Sequence, residues 1–374
     1  MKPKKSLAKN PRILYVTCLN KGSSGFGYLN GFRNMGLTVL EVDTSAWLGN
    51  WTFSFWERIA FKIRRGRLPK NVIFEMNRAI IEAADELQPD LTFFVGAPFI
   101  LPETLQYTRR YGLNFCQFND DMFNPVCRTY TFFDCLPYWD CIFVTRQCNI
   151  EEYQSLGVSR VAVVPFAYTP GLHRPVQPNR EEYEKYRGDV AFIGSFISPA
   201  RADYLAEIIY QCPNVKFNIW GGGWNMLKRP HYWIKPRRWR TWPYLLKAKH
   251  NYPLFYDEMS KAMNSHKIVI GLLNHHNRDL NTTRTFEIPA CGAFMLAERT
   301  SEHLEMFEEG TEAEYFDSAV EASSKIKYYL TYEEERKRIA QAGNRRLLTS
   351  DYSYFDRART AMEQYKAIKH EQNK

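Results

Sequence analysis

Between positions 275 and 292 the chain concentrates side chains able to grip a phosphorylated ligand. His275, His276, Asp279, Asn281, Thr282, Thr283, Arg284 and Glu287 follow an apolar run and lead into Ile288-Pro289-Ala290. A loop between a strand and a helix N-terminus presents unpaired backbone N–H groups and the positive end of the dipole to an anion. Arg284 adds a planar, permanent cation suited to phosphate. Glu287, three positions on, shares its helical face, and a carboxylate beside a phosphate site can accept both hydroxyls of a ribose. Asp279, eight positions before Glu287, can bind sugar hydroxyls. The same residues also fit a solvated loop in which Glu287 favours a helix N-terminus.

Other positions suit the same chemistry. Gly194-Ser195 closes an apolar run: glycine lets the backbone approach a diphosphate, and the serine can donate a hydrogen bond. Arg201 follows and can neutralise phosphate charge. Gly221-Gly222-Gly223-Trp224 closes another run and can shape a base pocket, with Trp224 either a stacking face or a core side chain. Asn119-Asp120-Asp121 ends a third. There Asp120 or Asp121 can act as general base on a substrate hydroxyl, hold sugar hydroxyls, bind a divalent metal, or cap a helix. The loop Gly22-Ser23-Ser24-Gly25-Phe26-Gly27 is glycine-rich, but it lacks the Lys-Ser/Thr ending of a P-loop and the spacing of a dinucleotide fingerprint.

The elements that must position these groups alternate between short apolar runs and helical patterns, the mark of parallel α/β architecture. Strands are predicted at 12–18, 37–42, 91–95, 113–118, 141–145 and 161–165, then at 189–195, 215–220, 267–273 and 293–296. A helix is predicted over 71–87, stopped by Gln88-Pro89-Asp90. Between the two sets, 168–187 carries three prolines, few apolar residues and a charged stretch, and reads as an interdomain linker. At 374 residues, two domains are expected: 1–175 and 176–350, followed by a C-terminal helix over 351–374.

Apolar residues make up 45% and charged residues 24%, and 50 Lys plus Arg stand against 41 Asp plus Glu. That excludes a disordered or fibrous chain, and the excess of nine positive charges suits a phosphorylated substrate or an anionic surface without demanding nucleic acid. Much of the excess lies in 228–249, which holds eight Lys or Arg, five Trp or Tyr and no acid. Such a segment fits a membrane interface, a nucleic acid, or an insertion packing its rings on its own domain. None of the eight cysteines forms a C-x-x-C pair, so reduced thiols in a cytosolic protein are expected and no metal site. No run approaches the length of a spanning helix, and residues 1–10 lack the apolar region of a signal peptide. A cytoplasmic location is expected, with peripheral contact at the inner face of the membrane left open.

Asp279…Asn281…Arg284-Thr285-Phe286-Glu287-Ile288-Pro289-Ala290-Cys291-Gly292 resembles the nucleotide-sugar motif of GT-B glycosyltransferases. It is most similar to the CgeB-like, spore-maturation branch of the group 1 enzymes. Asp189–Ser195, Trp220–Trp224 and the run from Phe294 to Arg346 extend the likeness over about half the chain. The resemblance implies two Rossmann-like domains facing each other across a cleft, 1–175 binding the acceptor and 176–350 the donor, and a metal-independent transferase with no cofactor beyond its nucleotide-diphosphate sugar. It implies donor contacts from Gly194, Ser195, Arg201, Trp224, Asp279, Asn281, Arg284 and Glu287, with Glu287 on the ribose. Asp279 stands where the family has a longer acid. Gly25 and Gly27 would touch the acceptor or the diphosphate. The expected partners are a nucleotide-sugar donor and a glycan, lipid-linked or protein acceptor. A sugar-nucleotide epimerase and a DNA-modifying transferase using 228–249 are the alternatives.

Overall fold

Uninterrupted apolar runs such as Leu91-Thr92-Phe93-Phe94-Val95 can be strands only if both faces are covered, and the structure covers them with helices. The computed structural model describes residues 10–48, 69–96, 99–125, 127–129 and 131–374. The chain divides into two units, Met1–Pro165 with Tyr354–Lys374, and Phe166–Ser353.

The first unit holds a parallel sheet of β1 (Arg12–Thr17), β2 (Thr38–Asp43), β3 (Leu91–Val95), β4 (Leu113–Phe118), β5 (Cys141–Val144) and β6 (Val161–Val163), in the order β2-β1-β3-β4-β5-β6. All residues of β3, β4 and β5 are buried. Helix α1 (Gly25–Asn34) follows β1, and α2 (Lys70–Leu87) ends where Gln88 turns left-handed ahead of Pro89. The last helix, Tyr354–Gln372, packs on α1.

The second unit repeats the plan with β7 (Val190–Ile193), β8 (Phe217–Trp220), β9 (Lys249–His250), β10 (Ile268–Gly271), β11 (Met295–Glu298) and β12 (Glu314–Phe316), ordered β12-β11-β10-β7-β8-β9 and again parallel. The strands β9 and β12 go beyond the sequence expectation. β9 is a two-residue edge strand, Lys249-His250, without any apolar pattern. The helices that carry site residues are α3 (Pro199–Tyr210), α4 (Pro236–Ala248), α5 (Thr283–Ala290) and α6 (Ser301–Met306).

The stretch expected to be a linker, 168–187, belongs to the second unit. Tyr168 and Tyr186 are buried in its core, Tyr168 N–H donates to Tyr352 O, and Val176 N–H donates to Asn264 Oδ1. The helix Arg180–Tyr186 is closed by a reciprocal cap between Asn179 and Glu182. Prolines and charges signalled exposed chain, yet a few anchoring tyrosines suffice to bind it to the domain.

Candidate functional site

Counted from its own first strand, the second sheet runs 3-2-1-4-5-6, so chain direction across it reverses between β7 and β10. Loops leaving adjacent strands at such a point turn to opposite sides and open a crevice at the carboxyl edge, where α/β proteins bind ligands. Arg201 and Arg284, both selected from sequence, meet there. Arg284, on the first turn of α5, sends Nε–H to the carbonyl of Ile193, the last residue of β7, at 2.8 Å. Arg201, on α3, sends Nη2–H to Leu273 O at 2.6 Å, just past β10, and Nη1–H to Ser195 O at 3.4 Å. The two arginines thus tie together the two strand ends that flank the crevice.

Glu287 is buried, and its Oε2 accepts from Arg284 Nη1. Its other oxygen lies 3.5 Å from Nε2 of His173. Thr169 N–H donates to His173 Nδ1 at 3.0 Å, which places the ring proton on Nε2, beside the carboxylate. Burial, and then the nearby Arg284 cation, push the His173 pKa down to about 3, so the ring is neutral. Burial also lowers Arg284 and Arg201, each to about 10, leaving both charged at neutral pH. The N-terminus of α5 is fixed from below. His303 Nδ1–H donates to Glu298 O at 2.6 Å, so Nε2 accepts from the Thr285 hydroxyl at 2.8 Å, and that hydroxyl oxygen accepts Thr282 N–H at 3.0 Å.

Beside this cluster lies a pocket of 450 Å³, lined by Arg201, Tyr204, Asn274, His275, Glu298 and Asp317 among others. Glu298 shapes its wall, accepting Leu273 N–H at 2.6 Å and meeting His275 Nε2 at 2.7 Å. The first turn of α3 opens onto it, with Ser198 as N-cap. Asp279 is buried just after the turn His275–Asn277. Ser195 is exposed. Gly221 is obligatory: at φ 151° a Cβ would lie 2.1 Å from the Gly194 carbonyl oxygen.

Two expectations need correction, and two further positions gain a packing role. Trp224 is fully buried, with Nε1–H on Gly194 O at 2.9 Å and its ring edge-on to Phe192 and Phe196, so it offers no stacking face and instead supports the loop from behind. Asn281 is buried, and its amide donates to Glu302 Oε2, which braces the loop against α6, while its Oδ1 has no protein partner. In the first unit, Asp121 is buried and its Oδ1 accepts from Phe123 N–H and Asn149 Nδ2. It is a turn-former, whereas Asp120 beside it is exposed at the carboxyl end of β4. Gly25 and Gly27 answer to packing: a Cβ on Gly25 would lie 2.8 Å from Thr17 Oγ1, and one on Gly27 would lie 2.3 Å from the Tyr354 ring.

Two residues of the site were missed. His173 comes from the proline-rich stretch, 114 positions before Glu287, and nothing local signals their meeting. Glu298 carried a usable signal, an acid ending a buried strand at the ligand-binding edge. Among the described residues no group of three or more His, Cys, Asp or Glu converges as metal ligands, and no helix is long and apolar enough to cross a membrane.

Residues 201–363 match a protein family described as glycosyl transferase-like. Among solved structures, HepE of Anabaena in complex with UDP-glucose superposes with a TM-score of 0.63 at 12% identity, over 96% of this chain and 100% of that one. The fold is GT-B. Sucrose-phosphate synthase of Thermosynechococcus elongatus gives a TM-score of 0.63 and a glycosyltransferase of Rickettsia africae 0.62, each at 12% identity over 96% of this chain and 99% of the other. No curated protein matches the sequence. The GT-B likeness spans both units, while the family match lies almost wholly in the second and includes Arg201, Arg284, Glu287 and Glu298.

Proposed function

We propose that this chain moves a sugar from a nucleotide-diphosphate donor to an acceptor hydroxyl, as a metal-independent hexosyltransferase of the CgeB-like branch serving a surface glycan or glycoconjugate. The observation that carries the reading is the Arg284–Glu287 pair at the β7/β10 crevice, beside a pocket large enough for a small ligand. In this reading Glu287 accepts the ribose hydroxyls, and the Nη2 edge of Arg284, Ser195 and the first turn of α3 meet the diphosphate. As the bond to the sugar breaks, negative charge grows on the leaving phosphate, and a fixed guanidinium with oriented N–H groups stabilises it without reorganising. Asp120, exposed at the carboxyl end of β4, is the acid we assign to take the acceptor proton. The acceptor is a glycan, a lipid-linked sugar or a protein, and no cofactor is required. The binding of UDP-glucose by HepE makes uridine diphosphate sugars the first donors to try.

The test is a thermal-shift screen of nucleotide-sugars, then donor hydrolysis with the best one, in EDTA and in magnesium. Stabilisation by one nucleotide-sugar and turnover that survives EDTA are expected. No stabilisation by any of them would end the reading. Conversion of the donor to its epimer, seen by NMR, would replace transfer with epimerisation.

A further inference from the structure

The stretch 228–249 joins β8 to β9, and its eight cations have no acid within the stretch. The acids come from the neighbouring helix. Arg238 is buried and forms a two-pronged pair with Asp203 at 2.7 Å for each contact, while Arg237 meets Glu207 at 2.9 Å. Trp242 is fully buried and donates to Asp203 Oδ1 at 2.8 Å. This inner side explains why α4 folds onto α3.

The outer side has no such account. Lys228, Arg229, Lys235, Arg240 and Lys247 are exposed and form no ion pair among the described residues, although Arg240 rests over the Tyr210 ring of α3 at 5.0 Å. Among them stand Ile234, 79% exposed, and Trp239, 67% exposed, the two most exposed large apolar side chains of the described residues. The Trp239 indole is held in place: Nε1–H donates to Trp233 O at 2.7 Å, and its ring lies 5.9 Å from that of Trp233. Its one polar atom is therefore satisfied inside the protein, and its apolar body is left outward.

We infer that this face docks on an anionic phospholipid bilayer, with Ile234 and Trp239 entering the headgroup layer and the five cations meeting the lipid phosphates. An indole and an aliphatic side chain among cations match a surface with apolar depth beneath negative charge. Nucleic acid would use the charges and the ring, but it offers nothing to Ile234. The inference stands apart from the donor chemistry and needs no turnover to test.

The experiment is co-sedimentation of the full chain with phosphatidylcholine vesicles, with and without phosphatidylglycerol, alongside a duplex DNA oligonucleotide. Binding is expected only with the anionic lipid, weakening as salt rises. The double variant I234S/W239S and the triple variant K228Q/R229Q/K235Q should each lower the partition coefficient at least roughly tenfold, given about 1 kcal/mol for each cation near such a surface. R237Q, which removes a charge already paired to Glu207, should change it by no more than about twofold. The substituted side chains are exposed, and unchanged thermal unfolding of each variant confirms the fold. Equal binding to neutral vesicles, no binding to either kind, full binding by both variants, or DNA binding tighter than lipid binding would each overturn the inference.

Discussion

Glu287→Gln keeps the side-chain volume and removes one acceptor oxygen together with the charge. In the native site both carboxylate oxygens face donors, Arg284 Nη1 on one side and His173 Nε2 on the other. The histidine cannot move its proton to Nδ1, because that atom accepts Thr169 N–H. A glutamine must therefore turn its NH2 group toward one donor. Its oxygen will go to the charged Arg284, and the mismatch will fall on His173. Leaving a buried polar group unmatched costs about 1–3 kcal/mol, and the 3.5 Å separation puts this case at the low end. Loss of the carboxylate also leaves Arg284 without its counter-charge. Breaking a fully buried pair costs about 3–5 kcal/mol, and the 24% exposure of Arg284 reduces that. We expect a total of about 2–3 kcal/mol and a fall in donor affinity of at least about tenfold, one hydrogen bond to a charged group being enough for that. The decisive measurement is a double-mutant cycle with His173→Leu, which removes the opposing donor. Urea unfolding and nucleotide-sugar titration of the four proteins should show the double variant less impaired than the sum of the singles by about 0.5–1.5 kcal/mol. Additivity within about 0.5 kcal/mol would show that Glu287 does not sense His173, and the reasoning from the tautomer would fail.

Acid should destabilise the second unit. Burial holds His173 and His303 at about 3 and about 4, whereas unfolded histidine titrates near 6.5. The unfolded chain therefore takes up protons that the folded one does not. The stability is complete above about pH 6.5 and is lost as pH falls toward 4, by up to roughly 1.4 kcal/mol per pH unit for each ring. A urea midpoint that stays flat between pH 6.5 and 5 would contradict this. Gly27→Ala should lower the stability of the first unit by about 1–2 kcal/mol, because overpacking against Tyr354 outweighs the gain in helix propensity. A rise in the unfolding midpoint would refute the contact. Asp120→Asn should slow transfer by about a hundredfold or more and leave donor titration unchanged. Full transfer activity would remove this acid from the mechanism.

The sequence alone was enough for the strand-and-helix alternation and for the helix predicted over 71–87, since buried parallel strands must be apolar throughout and helices bury one face. It also sufficed for the cluster ending in Arg284 and Glu287, because those two residues lie one helical turn apart and their relation is local. The tertiary structure decided everything that depends on distant segments meeting. That Trp224 supports a loop and does not face a ligand follows from Phe192, Phe196 and Gly194 closing around it. Arg237 and Arg238 are neutralised by acids some thirty positions away on another helix, while Lys235 beside them is not. Gly27 must be glycine because the C-terminal helix, more than three hundred residues on, takes the space of its missing side chain. His173 reached Glu287 only because a proline-rich stretch folded back on the domain that follows it. Local spacing carries periodicity and pairing within one turn. Burial and partnership across the sheet are set by which strands become neighbours, and a pattern of residue types does not encode that order in any short window.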